Sequence, residues 1–545
     1  MKKKSGKLIT QILVLTLLCL IMLSGCHTNA RANSNEEKNL KSITVAVNSE
    51  TGSLDPAGMI ALTYLAYSTA ALDELLTFDE NGEIEYRAAV SHGVNPESTV
   101  WTFHLREDAT WSDGTPVTAA DFLNTITRSL DPGSGNGYAN YLFPLKNAEA
   151  IYNGEAGLES LGVETPDEHT LIFTLEKPCV YFLDLLRLPV YTPSCVKYAD
   201  EVGSGWDKDP GRSVANGPFY LAEYLPEQYF VLKKNLNYWN AEQISLDQIT
   251  YRFFDNQQSM ANAYETGEVD VATALQQSVL TLYEGQKDLV ITETIATRYI
   301  YPNLEVKPLD DVRVRKAINL AINREELCKI VGADTEPTVN FVAKYMKDKS
   351  TGENFIEGAP VMFTENVAEA KALLAQAGYP EGAGFPVLTY NYPSLEMDSD
   401  TAQVIQEQLK QNLNITIELN AQELQVNYSD RRAGNFELCR MNWTADFADP
   451  YTYLSLILSN STYNCSGIRD QRYDSIVAQS DTETDPVKRA ALLHEAEQLA
   501  VGEEFYIIPL YAMKSCNLIR PDITGIGQIP ATGALNYRYA DIVSE

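Results

Sequence analysis

The stretch VWTFHLREDATWSDGTPVTAADF, residues 100–122, holds a strand, a turn and a helix start in one short run. Trp101, Phe103 and Leu105 alternate with Thr102, His104 and Arg106, which is the period of a strand with one buried face. Asp113-Gly114 is a turn signal. Thr118 stands three residues before Asp121, the spacing of a capping box, and predicts a helix reaching about Leu130.

The same alternation of elements continues outward. Upstream, Ile43, Val45 and Val47 in KSITVAV share one face of a strand that Gly52-Ser53-Leu54-Asp55-Pro56 closes. Downstream, Val314, Ile318 and Ile322 recur at helical spacing, predicting a helix over 312–328. Residues 366–377 form another, stopped by Gly378 and Pro380. A helix over 400–413 buries Ile405, Leu409 and Leu413, and a strand over 415–419 follows directly. Helix-then-strand order of this kind predicts an α/β body.

The N-terminus carries an address. Lysines in MKKKSGK precede an apolar run from Leu8 to Leu23. As a helix that run spans roughly 24 Å, short of a hydrocarbon core of ~30 Å, so it reads as an export signal. Leu23-Ser24-Gly25-Cys26 resembles the lipobox of bacterial lipoproteins, which implies cleavage after residue 25 and a diacylglyceryl group on the Cys26 thiol. A polar stretch, 26–40, then serves as a flexible tether. One such anchor holds a soluble body at a membrane surface.

The other ~520 residues exceed what one hydrophobic core usually serves, so more than one domain is expected. A formal net charge of −32 makes nucleic acid an implausible partner. Cys179, Cys195, Cys328, Cys439, Cys465 and Cys516 match no zinc or redox spacing. Most are expected as buried thiols, with Cys179 and Cys195 the nearest pair for a disulfide. The five histidines are scattered, and no metal or other cofactor is predicted.

Catalytic signatures are missing too. Leu493-His494-Glu495-Ala496-Glu497-Gln498 starts like a zinc-protease helix but has Gln498 where the second histidine belongs, and reads as an exposed helix face. Gly203-Ser204-Gly205 lacks the five-residue nucleophile elbow, and no phosphate loop occurs. Tyrosine is abundant, at 31. Tyrosines suit binding surfaces, and they equally suit strands and inter-domain contacts.

Several strings, in order, resemble the family-5 solute-binding proteins, the oligopeptide- and dipeptide-binding subunits of ABC importers. They are Ser53-Leu54-Asp55-Pro56, the 100–122 stretch, Asn216-Gly217-Pro218-Phe219, Asn235 to Trp239, Asp311 to Ala317, and Trp443 to Pro450. The resemblance covers about 41–540. It implies a two-lobe, periplasmic-binding-protein-like α/β fold (type II, cluster C) with a subdomain inserted in the first lobe. The implied division is a first lobe at 41–73 and 198–296, an inserted subdomain at 74–197, a second lobe at 297–530 and a return to the first lobe at 531–545.

The resemblance also implies site residues. The acidic residue of the W-x-x-D string takes a peptide's α-ammonium in the peptide-binding members, and here it is Asp446. A carboxylate in a closed, water-poor cleft makes a strong charge-assisted bond there. Trp443 either walls a side-chain pocket or fills the core. Arg440 and Arg431 match arginines that contribute ligand contacts, and either could pair with local acids instead; Arg432 stands where that branch has a histidine. Tyr138 matches a tyrosine facing the peptide backbone. Asp449 is expected to be structural. Thr444 and Ala296 stand where Gram-negative oligopeptide binders have a disulfide.

The function expected is therefore capture of short peptides outside the cytoplasm and delivery to permease subunits driven by separate ATPases. The protein is expected to be a lipid-anchored monomer and not an enzyme. The rivals are the same fold binding a nickel chelate, haem or an oligosaccharide, and a secreted hydrolase.

Overall fold

Two long strands, Leu289–Pro302 and Ile508–Ile519, run antiparallel through the middle of the molecule and carry the chain between its lobes. The computed structural model describes residues 40–48, 52–58, 65–79, 83–195, 197–198, 205–332, 334–529 and 533–543. Cys26, the export signal and nearly all of the tether lie outside the described residues.

The crossing strands belong to an 11-stranded mixed sheet. On one side Ser42–Val47 lies parallel between Gln248–Phe253 and Val271–Ala272. An antiparallel meander, Phe219–Leu225, Tyr229–Lys234 and Gln248–Phe253, extends that side. On the other side Leu438–Thr444 runs antiparallel to Ala296–Pro302, followed by the parallel pair Leu388–Pro393 and Ile417–Gln422. The helix Glu396–Leu413 connects that pair and buries Ile405, Leu409 and Leu413, as its spacing predicts.

Each lobe has its own core. Ile43, Phe103, Phe122, Phe230 and Tyr251 belong to one cluster, and Ile318, Leu327, Tyr390, Leu438 and Leu510 to another. Fully burying one such side chain contributes about 1.5–3 kcal/mol, so two clusters of this size sustain two bodies. Among the described residues all six cysteines are free, five of them buried and Cys465 partly exposed.

The 100–122 stretch forms what its pattern predicts. Val100–Leu105 is the second strand of a 4-stranded sheet, with Phe103 and Leu105 buried. Gly114 takes a φ of +84°, the left-handed conformation that its turn requires. The helix runs Ala119–Ser129, and the Thr118 N–H donates to Asp121 Oδ2 at 2.8 Å. The buried Trp111 indole N–H also donates to Asp121 Oδ2, at 3.3 Å, tying the turn to the helix.

Three expectations need correction. The helix over 312–328 is two helices, Val312–Leu320 and Arg324–Val331, because the Asn323 side chain accepts the Glu326 N–H and caps a second start. The strand after Leu413 spans Ile417–Gln422 rather than 415–419, since Asn414 turns left-handed at the helix end and delays the pairing. The 493–498 segment is not simply an exposed face: Glu497 is fully buried and accepts the Val342 N–H at 2.8 Å.

The two crossings depart from regular ladder at two places, between Arg298 and Tyr299 and, more widely, between Glu293 and Thr297. Glu293 pairs with Lys514 and Thr297 with Ala512, so Thr294, Ile295 and Ala296 oppose the single residue Met513. Extra residues on one strand bend it and break the ladder, which suits a hinge between lobes. Thr294 Oγ1 donates to the Met513 carbonyl at 2.7 Å and covers part of the gap. Ala296 and Thr444 are direct cross-strand partners beside it.

Candidate ligand-binding site

The strand Leu438–Thr444 ends at this bulge, and the chain beyond it, Ala445 to Pro450, is delivered into the space between the lobes. The Ala445 N–H donates to the Ile295 carbonyl at 2.8 Å, and the Tyr453 hydroxyl donates to the same carbonyl at 2.8 Å. The start of the loop is thus bonded to the bulge itself.

Next to this loop lies a cavity of about 450 Å³, lined by residues from 140–185 on one side and 443–481 on the other. Tyr141, Phe143 and Tyr181 line one side; Trp443, Phe447, Tyr451 and Tyr463 line the other. Aromatic walls offer large contact area and a few polar tips, the usual make-up of a ligand cleft.

Asp446 stands beside the cavity rather than in its wall. Its Oδ2 accepts a short hydrogen bond from the Tyr141 hydroxyl, and the Tyr138 hydroxyl also bonds it. Tyr138 is buried, with its ring 5.7 Å from that of Tyr141. The Tyr138 N–H donates to Asn136 Oδ1 at 2.7 Å, and Asn136 Nδ2 donates to the Ala57 carbonyl at 2.9 Å, tying Tyr138 to the segment at Ala57. Burial pushes the Asp446 carboxyl up to about 6, and the two hydroxyls offset this only in part. Among the described residues no Lys or Arg pairs with Asp446.

Asp449 shows the opposite arrangement. It is fully buried, with Arg489 bidentate on both oxygens at 2.8 Å and Lys349 Nζ at 4.0 Å. Burial raises its carboxyl pKa, but Arg489 and Lys349 outweigh that and hold it below the ordinary value. Its Oδ1 also accepts the Tyr451 N–H at 3.0 Å, so Asp449 shapes the loop.

Trp443 lines the cavity, with its indole N–H on Thr452 Oγ1 at 3.2 Å and its ring edge-on to Tyr463 at 5.1 Å. Arg440 is buried, and its Nε donates to Asp398 Oδ1 at 2.7 Å and Nη1 to Asn442 Oδ1 at 2.7 Å. Arg298 meets the same aspartate. Arg431 lies over the Tyr428 ring at 4.9 Å and has no carboxylate partner among the described residues. Neither Arg440 nor Arg431 lines the cavity. Arg432 is exposed.

Sequence reasoning passed over Tyr141, Tyr181 and Phe447. Tyr141 closes the Gly-Tyr-Ala-Asn-Tyr string that singled out Tyr138, and a three-residue step around one helical turn brings both rings to one side. Tyr181 carries no local signal, because its partners are over 260 residues away, at Phe447 and Tyr451.

The comparisons with known proteins agree with the two-lobe fold. A family model described as the middle part of the bacterial extracellular solute-binding proteins, family 5, matches residues 83–465. The periplasmic oligopeptide-binding protein OppA of Escherichia coli is 31% identical over 487 residues, covering 88% of this chain and 88% of the relative. A probable deoxycholate-binding periplasmic protein of Escherichia coli is 32% identical over 484 residues, covering 88% of this chain and 89% of the relative. Among solved structures, a periplasmic oligopeptide-binding protein of Borrelia burgdorferi superposes with a TM-score of 0.78 at 31% identity, covering 92% of this chain and 100% of that one.

Proposed function

The chain belongs to the bacterial extracellular solute-binding proteins of family 5, and on that premise we propose that it captures short peptides outside the cytoplasm and passes them to the permease of an ABC importer. The observation that carries the peptide reading is Asp446: a carboxylate beside the interlobe cavity, bonded to two tyrosine hydroxyls and to no cation among the described residues. A peptide's α-ammonium supplies the missing charge, whatever side chains follow. Trp443 then walls a side-chain pocket and Tyr138 orients the carboxylate. Arg431, unpaired with any carboxylate among the described residues, is available to a peptide's C-terminus, while Arg440 braces the strand that carries Asp446.

Calorimetry with a tripeptide and its N-acetylated form tests this. The free peptide is expected to bind about 100-fold more tightly, the worth of a well-placed charge-assisted bond. Equal binding would remove Asp446 from the anchoring role. Recovery of the peptide intact after denaturation would separate capture from hydrolysis.

A second reading follows from the relative described as a probable deoxycholate binder: a non-peptide cargo in the same fold. An uncompensated carboxylate repels an anionic bile salt, which favours the peptide reading. Titration of deoxycholate into the same protein decides between them.

The lobe division proposed is 41–73 and 198–296 for the first lobe, 74–197 for the inserted subdomain and 297 onward for the second lobe. The crossing at Ala512–Lys514 supports a return to the first lobe from there, ahead of the expected 531. We also propose lipid attachment at Cys26, which would keep the protein on the outer face of the cell membrane. Palmitate labelling of the wild type and its loss in Cys26→Ser, with release of that variant from the membrane, is the expected result.

A further inference from the structure

We infer that the lobes carry their own latch beside the ligand cavity, so that much of the drive to close comes from protein–protein contacts that are the same for every ligand. This rests on the peptide-capture reading for its consequence, but the latch itself stands on geometry. Tyr181, from the inserted subdomain, lies between two second-lobe rings, stacked on Phe447 at 4.9 Å and on Tyr451 at 5.3 Å, both at 19°. Phe447, although it follows a second-lobe strand, packs into the first lobe's core cluster.

Two ion pairs of opposite sense flank this stack. Lys177 of the inserted subdomain reaches Asp481 of the second lobe at 2.5 Å, and the Tyr181 hydroxyl donates to the other oxygen of Asp481 at 2.9 Å. In return, Lys349 of the second lobe reaches Asp184 of the inserted subdomain. Each side thus presents one lysine and one buried aspartate. The second pair is braced from below, since Lys349 also lies 4.0 Å from Asp449, which Arg489 holds.

A reciprocal arrangement has one register. Sliding or tilting one lobe separates both pairs together and withdraws Tyr181 from between its two rings. Opening returns the charges to water, so each pair contributes modestly and the stack supplies the rest. Because Lys349 and Asp184 lie outside the cavity wall, their pair rewards closure equally for any peptide small enough to be enclosed. A ligand held mainly by its α-ammonium then needs few side-chain contacts, which is the energetic basis of broad peptide specificity.

The test uses Lys349→Met and the isosteric Asp184→Asn, neither of which alters a residue lining the cavity. Binding of trialanine, trilysine and triphenylalanine is measured by calorimetry, and small-angle scattering reads lobe opening with and without peptide. Each variant is expected to lose about threefold to tenfold in affinity, by the same factor for all three peptides, and to shift toward a larger radius of gyration. The double variant is expected to lose little more than Lys349→Met alone, since either change already breaks the pair. A loss confined to one peptide would overturn the inference, because these residues would then be reading the ligand. Unchanged affinity with an unchanged radius of gyration would overturn it as well. If the wild type binds no peptide, the peptide reading fails, and the scattering comparison still decides the latch.

Discussion

Asp446 and Asp449 stand three residues apart in one loop and live in opposite electrostatic worlds. Asp449 is fully buried with Arg489 on both oxygens. Asp446 is half-buried with two tyrosine hydroxyls and no cation among the described residues. Burial alone pushes both carboxyls up, and only at Asp449 is the push reversed. A loop that needed only to hold its shape would compensate both charges. Leaving one uncompensated, next to an aromatic cavity, makes the free protein bear a cost that a cationic group relieves on binding.

The largest effect is expected where compensation is complete. Asp449→Ala leaves Arg489 buried without its partner, and breaking a buried pair in this way costs about 3–5 kcal/mol. Urea unfolding should show that loss without a change in slope. Were the midpoint unchanged, Arg489 would have another partner and the contrast between the two aspartates would be weaker than drawn.

Asp446→Asn should do the reverse to the two properties. Peptide affinity is expected to fall about 100-fold at pH 7, as the ammonium loses its anion. Stability of the free protein should rise slightly. The folded pKa of Asp446, about 6, lies above the ordinary 3.8, so the native state holds its proton more tightly. The penalty is absent below the unfolded value, grows as pH rises from there to about 6, and is fully present at pH 7. The amide removes it, and a melting midpoint about 1–3 °C higher at pH 7 but not at pH 4 is the expected signature.

Acid should act on binding through the same group. Below its pKa the Asp446 carboxyl must give up a proton before it can meet an ammonium, so affinity should fall about tenfold between pH 7 and pH 5. Asp449 carries the other sign: its lowered pKa supports stability above the unfolded value and loses that support only as pH falls below it. Loss of binding near pH 5 should therefore come well before acid unfolding. If both occur together, the carboxyl beside the cavity is not the group being titrated.

The reach of the sequence follows the same division between local and distant causes. The 100–122 stretch was legible because its strand, turn and cap are each set by neighbours a few residues away. Asp446 was legible only through resemblance, and nothing within its own loop told it from Asp449. What separates them is Arg489, forty residues downstream, and Tyr141, over three hundred upstream. The break at Asn323 was readable in principle as a helix cap, but the apolar period ran through it and masked the stop. Strand crossings such as the bulge at Thr294–Ala296 leave no trace in composition, because they arise from a mismatch between two segments far apart in the chain.

Tyr141→Phe is the smallest and most diagnostic change. It removes one of the two hydroxyls on the Asp446 carboxylate while keeping the aromatic wall of the cavity. With less to offset burial, the carboxyl should move further above about 6, which lowers the ionised fraction at neutral pH. Affinity relative to wild type should then drop only about twofold to threefold at pH 7, more at pH 6, and hardly at all at pH 8. Taking the ratio at each pH cancels titration of the peptide's own amine. A loss of equal size at all three values would mean that the Tyr141 hydroxyl bonds the ligand directly. A loss confined to the acid side would make it a positioning residue, acting on the peptide only through Asp446.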